Sequence, residues 1–225
     1  MTWKRMALLM AAVAMVTTSC STRQKTGTLV GAGAGAAVGA LVSDGVGGVL
    51  IGAAIGGAAG NLIGKEMDKQ AKELKQAVPT AEVDRVQEGI NMTFGSDLMF
   101  AINSSELKQS YKDDLAAAAT VFNKYADTNL MIAGHTDDTG NDAINQPLSE
   151  QRAQSVKSYL ATQNVASSRM TTVGYGSSQP AYPNDTPENQ AKNRRVEIGV
   201  SANDEMVADA KAQTPLPMAT RWATP

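Results

Sequence analysis

The densest run of polar side chains in the sequence lies between Gly134 and Ala153. Its residue types allow three kinds of chemistry: coordination of a metal ion, nucleophilic catalysis, and binding of a charged ligand. The side chains that could take part are His135, Asp137, Asp138, Asn141, Asp142, Glu150 and Arg152. Each kind of chemistry demands its own spacing, so the spacing can be used to choose between them.

A calcium-binding loop needs oxygen ligands at alternate positions, a glycine at its sixth position and a glutamate at its twelfth. Asp137, Thr139 and Asn141 would supply the first three ligands. The sixth position is Asp142 and the twelfth is Leu148, so the two most constrained residues are missing. With one histidine and one cysteine in the whole chain, a transition metal also lacks a set of nitrogen and sulfur ligands. We therefore predict no metal site.

Nucleophilic catalysis would need His135, Asp137 and a nearby serine to act as a triad. His135 directly follows a predicted strand and stands two residues before Asp137. The sequence shows no serine in the strained turn between strand and helix that exposes a nucleophile. We therefore predict that His135 is a structural hydrogen-bonding residue and that the protein is not an enzyme.

The balance of charges favours a ligand with two opposite charges. The polar run contains four acidic residues and one basic residue, which suits the ammonium and carboxylate of a free amino-acid end. Asp137 would bind the ammonium. Arg152 would bind the carboxylate from the first turn of a helix capped by Ser149, where backbone N–H groups and the helix dipole favour an anion. The alternative is a solvated acidic loop in which Arg152 pairs with Glu150 or Asp138, and the residues alone leave both interpretations open.

A resemblance to a known family favours the ligand-binding interpretation. Over about residues 95–200 the chain contains the blocks GHTDDTG, LSEQRAQSVKSYL, VGYGSSQP and NRRVEI. In this order and spacing they resemble the peptidoglycan-binding domain shared by OmpA-type porins and peptidoglycan-associated lipoproteins. In that family an aspartate, and an arginine fifteen residues after it, clasp the free end of meso-diaminopimelate in the stem peptide of the cell wall. The resemblance places these two roles on Asp137 and Arg152.

The same resemblance implies roles for supporting residues. Asn145 and Leu148 fall on motif positions that shape the pocket, together with the backbone around Thr136. Arg194 and Arg195 match the closing arginine pair of the family, one of which would support the ligand or the loop. The expected ligand-binding residues are Asp137, Arg152, Asn145, Thr136, Leu148 and Arg194.

Two further positions bear on the expected pocket. Phe100 corresponds to an upstream phenylalanine of the family and is expected to pack near the site. Asp138 departs from the commonest family pattern by adding a negative charge beside Asp137. That charge would either strengthen ammonium binding or compete for Arg152.

The amino terminus is typical of an export signal. Lys4 and Arg5 precede an apolar run over residues 6–16, which small residues follow. The only cysteine, Cys20, ends this segment, and the segment resembles the signal of a bacterial lipoprotein, in which that cysteine carries lipid such as palmitate. Thr17 stands where the family prefers leucine or valine. Ser21, rather than aspartate, implies sorting to the outer membrane, so we expect a signal peptide at 1–19 and a lipidated tether at 20–26.

Residues 27–64 have glycines at intervals of four, in two arms separated by a turn at 43–45. This spacing places the glycines on one helical face, where close contact between helices offsets their poor helix propensity. The pattern resembles the glycine-zipper segments of outer-envelope lipoproteins, and we predict a helical hairpin. The sequence leaves open whether this hairpin inserts in the membrane or self-associates. Residues 65–81 should form a solvated linker helix.

The elements that must position the polar run lie in a domain over residues 82–201. Helices alternate with strands there, which predicts an α/β (α+β) two-layer sandwich with a mixed sheet and helices on one face. Residues 202–225 are expected to be a poorly ordered tail with a helical turn near 204–212. The expected strands are 83–86, 89–94, 129–134, 170–174 and the alternating Val196, Ile198 and Val200; the expected helices are 107–122 capped by Ser104 or Ser105, 153–160 capped by Ser149, and one opened by Thr186 and Pro187.

The sequence as a whole resembles glycine-zipper lipoproteins of the YiaD type. It predicts a lipid-anchored outer-membrane protein whose periplasmic domain binds peptidoglycan non-covalently and without a cofactor. The alternative is an envelope assembly module that forms homo-oligomers through the zipper, with wall binding secondary. A net charge of −2 gives no field that would recruit nucleic acid.

Overall fold

A computed structural model describes residues 57–101 and 103–214. The predicted signal peptide, Cys20, the tether and most of the zipper lie outside these residues, as does the end of the tail. No helix in the described part is both long enough and apolar enough to cross a membrane. The helices are α1 (Gly57–Ala77), α2 (Ser96–Met99), α3 (Gln109–Lys124), α4 (Asp142–Thr162), α5 (Pro187–Asn193) and α6 (Asp204–Ala212), and the strands are β1 (Glu82–Val86), β2 (Gly89–Gly95), β3 (Thr128–Gly134), β4 (Met170–Gly174) and β5 (Arg195–Ala202).

The strands form one sheet in the order β1-β2-β5-β3-β4. Only β3 and β4 pair in parallel, and the other neighbours are antiparallel, so the sheet is mixed. In the central strand β5, Val196, Ile198 and Val200 are all buried, and Ile198 lies opposite Ile132 of β3. The predicted α/β sandwich on a mixed sheet is confirmed.

The core lies between the sheet and the helices α1, α3 and α4. Alternate strand residues meet helix residues spaced three or four apart, as the two periods of side-chain direction require. Phe94 of β2 contacts Tyr111 of α3 edge to face, with 6.1 Å between ring centroids. Burying one large apolar side chain stabilises a fold by about 1.5–3 kcal/mol. The largest fully buried side chains include Phe94, Phe122, Ile90, Met92, Leu115, Leu130 and Ile132.

The expectation of a solvated linker helix was wrong, because α1 packs against the domain. Ile63, Met67, Ala71 and Leu74 recur at helical spacing and are all buried, and α1 contacts β1, α3 and α6. The helical turn expected near 204–212 is present as α6, whose first turn is capped by the Asn203 side chain. This part of the predicted tail is therefore ordered.

The start of α3 differs from the prediction. Neither Ser104 nor Ser105 caps it: the capping position is Lys108, with no side-chain cap. Leu107 is buried and pairs with Phe100 in an antiparallel bridge. This bridge holds the preceding loop in extended backbone, so the helix begins later than its apolar spacing indicated.

The start of α4 also differs, and this changes the position of Arg152. The helix is capped by Asn141, whose side chain accepts a hydrogen bond from Ile144 N, and it continues through Pro147. Ala143, whose carbonyl would accept the hydrogen bond that Pro147 cannot donate, is exposed to solvent. Ser149 is therefore inside the helix rather than its cap, and Arg152 lies in the third turn.

Candidate functional site

A cavity of about 890 Å³ opens between the loop after β3, the inner face of α4 and the loop before α3. It contains every residue of the predicted ligand-binding set. Its lining residues are Phe100, Ala101, Asn103, Lys108, Thr136, Asp137, Thr139, Asn145, Leu148, Arg152 and Arg194. The polar run thus supplies one wall, and two distant segments supply the rest.

Asp137 is held at the base of the loop that follows β3. The backbone N–H of Thr136 donates to the carbonyl of Gly176 at 2.9 Å, which ties the loop to the chain beyond β4. The backbone N–H of Thr139 donates to Oδ1 of Asp137 at 3.0 Å, and Nη1 of Arg194 donates to Oδ2. The Asp137 side chain is only 8% exposed, so its carboxylate is held in a fixed orientation at the cavity wall.

Asn145 secures the same loop from the side of α4. Its Nδ2 donates to the carbonyl of Asp137 at 3.3 Å and to that of Thr139 at 3.1 Å. Asn145, Leu148 and Arg152 all line the cavity, and their spacing of three and four residues places them on one face of α4. One helical face therefore positions the loop and supplies the guanidinium.

Arg152 is buried at the other side of the cavity and is 5% exposed. Its Nε donates to the carbonyl of Ser104 at 3.0 Å, and its guanidinium lies 5.2 Å from the centroid of the Phe100 ring. This stacking is a cation–π contact, which favours a partly desolvated cation. Phe100 packs at the site as expected. We expected the free backbone N–H groups and the dipole at the amino end of the helix to help Arg152 bind an anion. That expectation was wrong, because Arg152 lies in the third turn of α4.

Two glycines allow α4 to lie against the strand ends. A Cβ atom on Gly134 would be 2.0 Å from the carbonyl oxygen of Ser149, and one on Gly174 would be 2.6 Å from the backbone nitrogen of Glu150. In the space they leave, the Ser149 hydroxyl accepts a hydrogen bond from Gly176 N at 2.9 Å. The position of Arg152 over the cavity depends on this close approach.

The closing arginine pair is divided between the cavity and the interior. Arg194 ends α5 and contacts Asp137, whereas Arg195 begins β5 and is buried beneath the loops. Nε of Arg195 donates to Oε1 of Glu197 at 2.6 Å, and their side chains are 3% and 1% exposed. Consecutive residues of extended backbone point in opposite directions, so the pair cannot act together on one ligand.

His135 is part of the interior cluster and does not line the cavity. Its side chain is 2% exposed and stacks on Tyr175 with 5.2 Å between ring centroids. Burial, together with the positive charge of Arg195, lowers the pKa of His135 to about 3. The ring is therefore neutral near pH 7, and its burial agrees with a structural role. Neither ring nitrogen has a hydrogen-bond partner among the described residues, so the side-chain hydrogen bonding that we predicted for His135 is not observed.

The expected excess of carboxylate at the site was wrong. Of the four acidic residues in the polar run, only Asp137 lines the cavity. Asp138 is exposed and lies 3.5 Å from the side-chain amide of Gln190, on the side of α5. The described lining instead carries three cations, Lys108, Arg152 and Arg194. Sequence reasoning missed Lys108 because it belongs to a segment about 30 residues before the polar run.

Comparison with known families agrees with the resemblance found in the sequence. Residues 99–194 match the model of the OmpA family, and residues 1–68 match that of the YMGG-like Gly-zipper. The first match contains all the predicted ligand-binding residues. The second covers both predicted arms of the zipper, although most of the predicted hairpin lies outside the described residues.

Three known proteins illustrate what the chain is similar to. The peptidoglycan-binding protein ArfA of Mycobacterium tuberculosis is 40% identical over 52% of this chain and 36% of its own length. The probable lipoprotein YiaD of Escherichia coli is 38% identical over 60% of this chain and 63% of its own length. The cell wall anchor of the T6SS from Pseudomonas aeruginosa has the same fold, with a TM-score of 0.53 and 27% identity over 61% of this chain and 97% of that one. The chain thus spans about a third of ArfA and somewhat under two thirds of YiaD.

Proposed function

The chain contains an OmpA-family domain at residues 99–194, and we propose from this that it binds peptidoglycan without making or breaking a covalent bond. The ligand is the free end of meso-diaminopimelate in a stem peptide, which bears one ammonium and one carboxylate. Similarity to ArfA and to the cell wall anchor supports the class of ligand.

One observation carries the proposal. Asp137 and Arg152, the two residues expected to clasp the ligand, are both almost fully buried and line the same cavity. Hydrogen bonds to charged groups are stronger in a low-dielectric cavity than in water. A ligand with one charge of each sign would place its ammonium beside Asp137 and its carboxylate beside Arg152.

The geometry supports a distinct task for each residue. A carboxylate has about four acceptor positions. Asp137 accepts hydrogen bonds from Thr139 and Arg194, so it can also accept one from an ammonium. Arg152 presents a planar guanidinium, which matches a carboxylate through two parallel hydrogen bonds. Thr136, Asn145 and Leu148 limit the space between the two groups and orient the aliphatic part of the ligand.

The expected anchor extends this binding to a tether between membrane and wall. The signal pattern ending at Cys20 implies lipidation, Ser21 implies the outer membrane, and the similarity to a probable lipoprotein supports the anchor. A lipid chain contributes about 0.8 kcal/mol per buried methylene. We expect Cys20→Ala to give a soluble periplasmic form. Persistent membrane fractionation of that variant would identify the zipper as an anchor.

Retention on purified sacculi tests the binding itself. Asp137→Asn removes one charge in the cavity, whereas Asp138→Asn removes one from the exposed neighbour that does not line it. We expect the first variant to lose retention and the second to behave as the wild type. Equal retention by wild type and Asp137→Asn, with unchanged thermal melting, would refute the clasp. Release of soluble muropeptides during the same incubation would indicate a hydrolase instead.

The alternative function is assembly of several chains through the zipper. The match of residues 1–68 to a Gly-zipper family supports this alternative. A glycine stripe promotes close contact between helices of the same or another chain. The number of chains per particle in detergent, measured for the full chain and for a variant lacking residues 27–56, distinguishes the two functions. The deletion ends before α1 because Ile63 of that helix is buried in the domain core. A variant that becomes monomeric supports self-assembly, and an unchanged number of chains contradicts it.

A further inference from the structure

The second arm of the predicted zipper ends inside the core of the described domain. Residues 57–64 are the last eight of that arm, and they also form the start of α1 (Gly57–Ala77). Ala59 and Ile63 of the arm are buried, as are Met67 and Leu74 further along the same helix. One continuous helix is therefore shared by the arm and the domain.

Polar contacts hold both parts of this helix on the domain. In the arm, the carbonyl of Gly64 accepts a hydrogen bond from Nη2 of Arg85 in β1 at 3.5 Å. Nε of the same arginine donates to Oδ1 of Asp68 at 2.7 Å. Nearer the end of α1, Glu73 pairs with Lys124 of α3, with 2.6 Å between Oε1 and Nζ. Helix α1 is thus fixed against β1 and α3, and the last eight residues of the arm are fixed with it.

The length of the arm determines whether it could cross a membrane. After the predicted turn at 43–45, the arm consists of the 19 residues 46–64, which as a helix would extend about 28 Å. A helix that crosses the hydrocarbon core of a bilayer, about 30 Å thick, needs roughly 17–25 residues. Without the docked residues 57–64, only the 11 residues 46–56 remain, and as a helix these would extend about 16 Å. The whole arm is long enough to cross, and the part before α1 is not.

The docked residues cannot enter hydrocarbon while α1 stays on the domain. Helix α1 contacts β1, and this strand exposes Glu82 and Asp84 to solvent. A charged side chain within a bilayer is costly. To place the whole arm across a membrane, Ile63 would have to leave the core and α1 would have to separate from β1 and α3.

We infer that docking of α1 prevents the predicted zipper hairpin from crossing the outer membrane. A docked α1 and a transmembrane hairpin are then alternative states of one chain, and docking keeps the turn at 43–45 on the periplasmic side. This inference rests on the proposed export and outer-membrane anchor. It does not depend on the proposed ligand.

A cysteine in the predicted turn reports on which side of the outer membrane the turn lies. In cells that express the full chain with Ser43→Cys, a membrane-impermeant maleimide should label the new thiol only after the outer membrane has been permeabilised. Labelling in intact cells, or no labelling in either condition, would overturn the inference. The wild type is the control, because Cys20 is its only cysteine and is expected to be lipidated. Labelling of Cys20 would overturn the proposed lipid anchor, and the inference would then be read from the labelling that Ser43→Cys adds.

Leu74→Asp tests whether docking is the cause. Leu74 is fully buried but lies ten residues beyond the arm, so a charge there opposes docking and leaves the apolar arm unchanged. Combined with Ser43→Cys, this variant should be labelled in intact cells, whereas Gln76→Asp, at an exposed position of the same helix, should stay protected. Protection that persists in Leu74→Asp after trypsin shows α1 to be released would refute a role for docking. If Leu74→Asp loses its thermal unfolding transition altogether, labelling of Ser43→Cys alone decides the inference.

Discussion

Replacing Arg152 by lysine separates the shape of the guanidinium from its charge. Arg152 is 5% exposed, bonds through Nε to the carbonyl of Ser104 at 3.0 Å, and stacks on Phe100. Lysine would keep a positive charge near the same place. It has no planar fork, so it cannot form two parallel hydrogen bonds with a carboxylate.

The expected loss follows from the burial of the site. A hydrogen bond to a charged group contributes about 1.5–3 kcal/mol, so Arg152→Lys should weaken binding of a diaminopimelate-containing stem peptide by roughly 10-fold to 150-fold. Arg152→Ala leaves the ligand carboxylate without a partner, which typically costs about 2–5 kcal/mol. That corresponds to a loss of affinity of at least about 30-fold. The alanine variant should therefore be the weaker binder of the two.

The assay is calorimetric titration of the stem peptide into the full chain, with thermal melting recorded for each variant. Melting is needed because either substitution also removes the hydrogen bond to Ser104. Glu150→Gln is the matched control, because Glu150 is an exposed neighbour on α4 and the partner of Arg152 in the solvated-loop interpretation. If Arg152→Ala bound the peptide within about threefold of the wild type, at an unchanged melting temperature, the assigned carboxylate site would be refuted.

Two further variants test the structure around the site. Gly134→Ala should lower the free energy of unfolding by about 1–3 kcal/mol, because its Cβ would lie 2.0 Å from the Ser149 carbonyl oxygen; an unchanged urea midpoint would contradict the close approach of α4. His135→Gln should reduce the loss of stability in acid. The pKa of His135 is lowered from 6.5 to about 3 in the folded protein, so between those values the unfolded chain binds the extra proton, and stability falls as pH drops from about 6.5 to about 3. The loss of stability amounts to up to about 4 kcal/mol. If urea unfolding gave the same dependence of stability on pH for the wild type and for His135→Gln, the histidine would not be buried in the neutral form.

Local patterns in the sequence predicted most of the sheet. The five strands were found at or within a few residues of their observed positions, because alternation of side chains along a strand is a local property. Thr186 and Pro187 likewise opened α5 as expected, since capping and a proline at the first helical position act within one turn.

The helix starts at α3 and α4 were wrong because distant contacts decided them. The pairing of Leu107 with Phe100 delays α3, and Asn141 starts α4 two turns before the serine that was expected to cap it. Pro147 lies inside the observed helix α4. Its cost is small here because the carbonyl that loses a partner belongs to an exposed residue, a fact of burial that local sequence does not contain.

The residue types of the polar run suggested Asp137 and Arg152 as candidates for a ligand with two opposite charges. The family blocks were needed to prefer that interpretation over a solvated loop and to name the supporting set. Only the tertiary structure determined the charge of the site. In the folded protein Asp138 is exposed to solvent, and Arg195 pairs with Glu197 in the interior. Arg194 contacts Asp137, although the two residues are 57 apart in sequence. Hydropathy and charge patterns are properties of the local sequence, whereas burial and ion pairing depend on which distant segments pack together. At this site the packing of α4 against Gly134 and Gly174 brings the helix to the loop that carries Asp137.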